Sequence, residues 1–394
     1  MAFASASIRV SAGTICSAGS PRCGRASAAA ARGDQSSVFH LINSVSIKGG
    51  YAGLAAVVPD TPDDRDFVRF ETILSGDLGE DDIPGDFNTN RGDNSYYVIR
   101  GSQPNGAILN TSAVLEGVTI SGGQGGYNDG STFLGCGAGI FLPPSSSPTV
   151  LNCRFLDNSA SATGGGMYCS NSCQPVLTSC AFERNFAKHG AGMYISSSVA
   201  PSPPTSPSFT LCTFSRNATE GNGAGVYFGG SRAQGSLDRC VFEYNQADYG
   251  AAVAITDNSV FSNIGPIKGC RFVGNVSLSG GGAVLNGNRW SFSFVSCHFL
   301  GNKVRSGGGG AVMNSYFNSG TDSTQFVNCV FSRNEAKGNA GAIFNNSSSP
   351  NNVAITNCSF SKNTALFLNH GGGVYGASQT TMVVRNCLFW DNLR

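Results

Sequence analysis

Carboxylates and histidines are the side chains with which this chain could cleave a polymer. Glycoside hydrolysis needs two carboxylates that face each other, and a lyase needs acids that bind calcium beside a base. After residue 130 the acids are scattered singly, at Asp157, Glu183, Glu220, Asp238, Glu243, Asp248, Asp257, Asp322, Glu335 and Asp391. The histidines, His40, His189, His298 and His370, do not recur at a fixed spacing either. We therefore predict no catalytic residue, with a polysaccharide lyase or hydrolase as the alternative.

The acidic stretch DLGEDDIPGDFNTNRGDN, residues 77–94, is the one place where a cation could bind. Asp86, Asn88 and Asn90 alternate as they do in a calcium loop, but the glycine falls at Gly92 and the twelfth position is Tyr97. This stretch can be interpreted either as a solvated loop or as a calcium site. We predict no metal ligand and no cofactor. The tripeptide Arg91-Gly92-Asp93 resembles an integrin-binding motif, but three residues recur by chance, so the match is weak evidence for integrin binding.

The chain has 14 cysteines, and nine of them recur about every 29 residues, as expected for a stacked repeat array. We interpret these nine as an inward column of small apolar side chains. Candidate disulfides join Cys16 to Cys23 and Cys169 to Cys173, which leaves Cys136 over. Zinc binding by these cysteines is the alternative to disulfides, but neither pair has the C-x₂-C spacing that is typical of zinc sites.

Each of the nine cysteines opens the motif Cys-x-Phe-x-x-Asn. Cys and Phe are two residues apart and so share one face of a strand, and an inward Asn can satisfy buried backbone groups of adjacent coils. The predicted structural ladder consists of Cys153, Cys180, Cys212, Cys240, Cys270, Cys297, Cys329, Cys358 and Cys387; Phe155, Phe182, Phe214, Phe242, Phe272, Phe299, Phe331, Phe360 and Phe389; and Asn158, Asn185, Asn217, Asn245, Asn275, Asn302, Asn334, Asn363 and Asn392. An apolar residue lies three positions before each cysteine, which is the wrong parity for one continuous strand and predicts a corner between the two.

Short glycine-rich elements such as GAGM (190–193) and GGAV (281–284) lie about half a period away and predict a tight bend into another short strand. Variable, Ser- and Pro-rich stretches such as 196–208 precede the next cysteine and predict surface loops. No 3.6-residue apolar rhythm occurs, which argues against a leucine-rich repeat. The sequence predicts an all-β, single-stranded right-handed parallel β-helix (solenoid) of about 11 to 12 coils, about 4.8 Å apart.

The alternating GGA[ILV] and FxxN motifs resemble the repeats of polymorphic outer membrane proteins, within the pectin lyase-like superfamily. SVSIKGGYAG (44–53) and VLEGVTISGG (114–123) are similar to the first coils of secreted bacterial β-helix proteins. The resemblance covers roughly residues 40–394. It implies a secreted, cell-surface or outer-membrane-associated protein, often an adhesin, and no particular substrate.

Composition agrees with this interpretation. The 394 residues carry a net charge of +1, with 12 % charged residues and 53 glycines, so we expect no nucleic-acid partner and no membrane span. We expect an incomplete first coil plus loop in residues 1–37, less regular coils with the acidic insertion in 38–135, and regular repeats in 136–394. Both ends look incomplete, without a visible signal peptide or anchor. The sequons at Asn217 and Asn275 are ladder positions, whereas Asn345 and Asn346 are expected in a polar loop.

The function predicted from the sequence is that of a non-catalytic scaffold. It displays variable loops for adhesion or recognition of a host or neighbouring cell-surface protein or glycan. A glycan-binding module is the nearest variant, and stacked surface aromatics or paired acids on one face would favour it or an enzyme.

Overall fold

The computed structural model of the chain is an all-β solenoid made of four parallel sheets. It describes residues 6–11, 13–16, 34–53, 61–102, 106–126, 135–197, 203–230, 232–256, 265–287, 293–316, 323–347, 351–366, 371–377 and 380–393, and no helix occurs among them. The predicted fold class, a parallel β-helix, is therefore confirmed.

The first sheet of each coil carries the apolar residue that lies three positions before the repeat cysteine. Its side chain, for example Val150 or Leu237, is fully buried. The sheet has twelve strands: β1 Ala6–Ser11, β4 Val45–Tyr51, β7 Val114–Glu116, β11 Thr149–Leu151, β15 Val176–Thr178, β19 Ser208–Thr210, β23 Ser236–Asp238, β27 Ile267–Lys268, β31 Ser293–Val295, β35 Ser323–Val327, β39 Asn351–Thr356 and β43 Thr380–Arg385.

From residue 154 onward, the second sheet carries the repeat phenylalanine at the centre of each three-residue strand. Phe242 pairs in register with Phe214 on one side and Phe272 on the other. Its twelve strands are β2 Gly13–Cys16, β5 Thr72–Ser75, β8 Thr119–Ser121, β12 Arg154–Leu156, β16 Ala181–Glu183, β20 Thr213–Ser215, β24 Val241–Glu243, β28 Arg271–Val273, β32 His298–Leu300, β36 Val330–Ser332, β40 Ser359–Ser361 and β44 Leu388–Trp390.

The third sheet begins directly after the repeat asparagine, and small residues such as Ala187 and Ala336 point inward from it. It has nine strands: β9 Gln124–Gly125, β13 Ser159–Thr163, β17 Phe186–His189, β21 Ala218–Thr219, β25 Gln246–Tyr249, β29 Val276–Gly280, β33 Lys303–Val304, β37 Glu335–Ala336 and β41 Thr364–Ala365.

The fourth sheet follows the glycine-rich bend and inserts an aliphatic residue into the core. Gly225 shows why the bend requires small residues, since a Cβ there would lie 2.4 Å from the carbonyl oxygen of Ala252 in the next coil. The eleven strands are β3 Phe39–His40, β6 Ile99–Arg100, β10 Ile140–Leu142, β14 Met167–Cys169, β18 Met193–Ser196, β22 Val226–Gly229, β26 Val253–Ile255, β30 Val284–Asn286, β34 Val312–Tyr316, β38 Ile343–Ser347 and β42 Val374–Gly376.

Two sharp corners separate the first three sheets in every regular coil. The residue before the repeat cysteine and the residue before the repeat asparagine both adopt positive φ, as at Asn152 (φ 51°) and Asp157 (φ 53°). Each corner reverses the parity of the strand pattern, so the apolar residue, Cys and Phe all face the interior. The corner predicted between the apolar residue and the cysteine is confirmed.

Candidate functional site

The asparagine column satisfies the backbone at the second corner of each coil. The Asn245 Nδ2 group donates to the carbonyl of Phe214 in the coil before (2.9 Å) and to Oδ1 of Asn275 in the coil after (2.9 Å). Its own Oδ1 accepts from the backbone N–H and from Nδ2 of Asn217, both at 3.0 Å. The structure therefore gives these asparagines a structural role.

The phenylalanine and cysteine columns run parallel to it. Successive phenylalanine rings stack with centroids 4.3 Å apart at Phe155–Phe182 and 5.1 Å apart at Phe242–Phe272. The repeat cysteines are free thiols. Burial raises the pKa of the Cys153 thiol to about 12, which keeps it protonated and unreactive near neutral pH.

Cys169, which ends β14, and Cys173, which follows it, are also free thiols, so the suggested disulfide between them is absent from the structure. Cys169 and Cys173 are fully buried, and the Cys173 thiol lies 3.0 Å from the carbonyl oxygen of Pro143. Burial, together with contact with Cys173, raises the pKa of Cys169. The other suggested pair, Cys16 with Cys23, falls outside the residues whose side chains the structure describes.

In the acidic segment 77–94, residues of the calcium-like spacing make hydrogen bonds to the segment's own backbone. The Asp86 carboxylate accepts from the backbone N–H of Asn88 (2.8 Å) and of Thr89 (3.2 Å), so it stabilises its own turn. The Asn90 side chain donates to the carbonyl of Asp81. The carboxylates that do meet are Asp77, Asp81 and Asp93, whose oxygens lie within 4.8 Å of one another, a separation that a hard cation could bridge.

Arg91 anchors this segment to the solenoid. Only 4 % of its side chain is exposed, and it lies 3.4 Å from Asp82 and donates to the carbonyl of Asp157 at 3.0 Å. Phe87 stacks on Phe186 of β17, with ring centroids 5.5 Å apart. Because Arg91 is buried in these contacts, the Arg-Gly-Asp tripeptide does not present its guanidinium to a partner.

Burial dominates the electrostatics of the segment. It raises the pKa of Asp82 to about 6, although Arg91 and the Asn94 amide favour the charged form. Burial also raises the pKa of Asp93, and the nearby Asp81 and Asp77 add to the effect.

Several scattered acids come together on the outer face of the second sheet, but arginines lie between them. Arg154 contacts Glu183 at 2.6 Å and Glu71 at 3.7 Å. Arg184 contacts Glu183 at 2.8 Å and Asp157 at 2.9 Å. These carboxylates are therefore engaged in ion pairs rather than left to act as a free acid and base.

The described histidines occupy three different environments. His40 Nδ1 lies 2.7 Å from the carbonyl oxygen of Ser102, and His298 is exposed on β32. The ring of His189 stacks on that of Tyr227 at 5.6 Å, and burial lowers its pKa, with Lys188 adding to the shift. His370 lies outside the described residues.

The prediction that Asn345 lies in a polar loop is wrong. Asn345 is fully buried within β38, and Asn346 is partly buried in the same strand. A buried amide cannot carry a glycan, so Asn345 joins Asn217 and Asn275 as an inaccessible sequon. The sequons at Asn110 and Asn357 are exposed.

An aromatic column follows the outer face of the fourth sheet, where the sequence shows no obvious motif. Phe141 stacks on Tyr168 and Tyr168 on Tyr194, with centroids 5.5 and 5.6 Å apart. Phe141 and Tyr168 are only 4 % and 7 % exposed. The column therefore acts as a second, smaller apolar core and does not present open ring faces.

An exposed groove with polar and apolar lining residues crosses the outer face of the third sheet. It consists of two adjoining depressions of about 240 and 400 Å³ that share Gln246. We call it the Tyr244 groove and define it by Arg216, Glu220, Tyr244, Gln246, Asp248 and Arg305. Two acids that are scattered in the sequence, Glu220 and Asp248, both line this groove. The signal that could have found them is their offset, since each lies three residues after a repeat asparagine.

Comparisons with known proteins support the fold and leave the function open. Residues 92–233 match the family described as right handed beta helix region. The chain is 28 % identical over 145 residues to metabotropic glutamate receptor-like protein R of Dictyostelium discoideum. That alignment covers 36 % of this chain and 8 % of the receptor-like protein, so the chain spans a small part of that relative's length. No solved structure matches the chain significantly. The structure and the family match together show that this chain contains a right-handed parallel β-helix region.

Proposed function

We propose that this protein is a non-catalytic scaffold at the cell surface or in the extracellular space, where its loops mediate adhesion or recognition. The observation that carries the proposal is where the coils vary in length. From β11 onward, two residues connect the first sheet to the second in every coil, and two residues connect the second to the third. Between the fourth sheet and the next first-sheet strand, the connection ranges from three residues (348–350) to eleven (197–207 and 256–266).

This distribution separates a constant framework from a variable edge. The short corners keep the columns in register, whereas added residues at the variable edge leave the core contacts intact. A scaffold that carries different loops along one edge is suited to bind an extended partner, such as a host or neighbouring cell-surface protein or glycan. The resemblance to a receptor-like protein is in keeping with a recognition role.

The acids on the outer face of the second sheet are engaged in ion pairs. A general acid and base must be free to exchange protons, but Glu71, Asp157 and Glu183 are held by Arg154 and Arg184. Helices long and apolar enough to cross a membrane were not found in the described part of the chain. Display at a surface therefore rests on the resemblance of the repeats and on the loop arrangement.

Binding and turnover should be measured on the same purified protein. We expect binding to cells or to cell-surface glycans, and no release of reducing ends or unsaturated products from neutral or uronic-acid polysaccharides, with or without calcium. Replacement of 198–202 and 257–264 by Gly/Ser segments of equal length should weaken the binding. Turnover at a rate typical of enzymes, or binding unchanged by both replacements, would contradict the proposal.

A further inference from the structure

We propose that the Tyr244 groove is a glycan-binding site that recognises a neutral, hydroxyl-rich oligosaccharide. This inference rests on the proposed recognition function and assigns part of it to one surface. The groove spans four successive coils, from Arg216 to Arg305, as two shallow, adjoining depressions that are open to solvent.

Tyr244 provides an aromatic surface that is held in place. Its side chain is exposed, with half of the residue's surface accessible, and the Arg216 guanidinium carbon lies 5.8 Å from its ring centroid. Gly274 lies against the ring, because a Cβ at that position would be 2.7 Å from Tyr244 Cε1. Because Arg216 lies over one face of the ring, a sugar can stack only on the other face, and a ring already held by its neighbours loses little conformational entropy on binding.

The other lining residues supply hydrogen bonds to hydroxyl groups. Glu220 and Asp248 offer acceptors, Arg305 offers donors, and the Gln246 amide offers both. Asp248 is oriented by a hydrogen bond from the Ser279 hydroxyl at 2.5 Å. Two acids and two arginines sum to zero charge, which favours a neutral ligand over a polyanion such as pectate.

The backbone of the third sheet disfavours an extended peptide as the ligand. A peptide commonly binds a sheet by adding a strand to a free edge. Here β21 pairs with β17 and β25, and β29 pairs with β25 and β33, so the strands beneath the groove have no free edge. Recognition must therefore come from side chains, and those present are suited to hydroxyl groups.

The test is a titration with matched variants. The protein is first screened against cello-, xylo-, manno- and galacturonate oligosaccharides, and the tightest ligand is then titrated by calorimetry. We expect a neutral oligosaccharide to bind, Tyr244→Ala to weaken binding at least tenfold, and Arg216→Ala to weaken it three- to tenfold. Arg333→Ala is the control, because Arg333 occupies the same corner position as Arg216 but lies outside the groove. It should change Kd less than twofold.

Each outcome bears on the proposal separately from the scaffold function. Binding that survives Tyr244→Ala, no oligosaccharide binding at millimolar concentration, or a preference for galacturonate would overturn the groove assignment. If the loop replacements abolish cell binding while Tyr244→Ala has no effect, the scaffold function stands and the groove proposal is wrong. If Tyr244→Ala weakens binding and the ligand is also cleaved, the groove is a glycan site and the non-catalytic function is wrong. Unchanged thermal unfolding of Tyr244→Ala and Arg216→Ala establishes that both variants are folded.

Discussion

At the scale of single residues, the repeat asparagines show how closely side-chain chemistry is matched to position. Asn302 Nδ2 donates to the carbonyl of Phe272 and to Oδ1 of Asn334, while its Oδ1 accepts from Asn275. An aspartate has the same shape but no donor, and it would bury a charge. The amide is therefore needed at this position for its hydrogens as much as for its oxygen.

We predict that Asn302→Ala lowers the free energy of unfolding by about 3 kcal/mol or more, because it leaves several buried groups unpaired at about 1–3 kcal/mol each. Asn302→Asp should be at least as destabilising. Asn352→Ala, at an exposed position in β39, is the control and should cost less than about 0.5 kcal/mol. Urea unfolding followed by circular dichroism measures all three, and similar losses for Asn302→Ala and Asn352→Ala would disprove the structural role.

The raised pKa of Asp82 predicts an unusual pH dependence in segment 77–94. A carboxyl whose pKa is about 6 when folded and near 3.8 when unfolded binds its proton more tightly in the folded state. Its contribution to stability is therefore present at low pH and is lost as the pH rises through about 6. Hydrogen exchange of the segment, corrected for intrinsic rates, should show weaker protection at pH 7 than at pH 4.5.

Asp82→Asn should reduce this dependence, since the amide does not titrate, and Asp93, whose pKa burial also raises, should account for what is left. Asp238→Asn, at the end of β23 with 41 % of its side chain accessible, should leave it unchanged. Protection that increases from pH 4.5 to 7 in the natural protein would show that the pairing with Arg91 outweighs burial.

At the scale of elements, the sequence predicted the interior better than the surface. The parity change between Val150 and Cys153 predicted a corner, and the structure has one at Asn152. Asn345 was misassigned because a polar residue in a polar stretch resembles a loop, and only its register with Asn314 in the neighbouring strand shows that it faces the interior. The Tyr244 groove was missed because its residues are about 30 positions apart and meet only through the stacking of coils.

The phenylalanine column gives an element-scale prediction. Phe272 is fully buried between Phe242 and Phe299, with ring centroids 5.1 and 4.6 Å away, so Phe272→Ala should cost about 3–5 kcal/mol of unfolding free energy. Val273→Ala, the next residue in the same strand but only partly buried, should cost much less. Replacement of 198–202 by Gly/Ser should leave the free energy of unfolding nearly unchanged. Equal losses at the three places, measured by chemical denaturation, would contradict the assignment of inner and outer faces.

At the scale of the whole molecule, each coil contacts mainly its two neighbours, and the coils from Cys153 onward repeat the same Cys, Phe and Asn columns. Val330 pairs with Ser359 and Phe331 with Phe360, so residues 330–358 form one complete coil. Deletion of 330–358 joins Cys329 directly to Ser359 and places Phe360 against Phe299. Every column keeps its register.

We predict that the protein lacking 330–358 folds, with a β-sheet circular dichroism spectrum and a thermal unfolding transition within about 10 °C of the full chain. Deletion of 330–344, about half a coil, would put a fourth-sheet strand where a second-sheet strand belongs. That variant should fail to fold. If both deletions fold equally well, or neither folds, the coil is not an independent unit.

The columns repeat from one coil to the next, and this repetition has an evolutionary consequence. Duplication or loss of about 90 base pairs of the gene, which encode one coil, adds or removes one coil of the solenoid. The contacts between the remaining coils stay of the same kind. The distance between the two ends of the solenoid therefore changes in steps of about 4.8 Å. Selection can therefore adjust the length of the solenoid without redesigning its core.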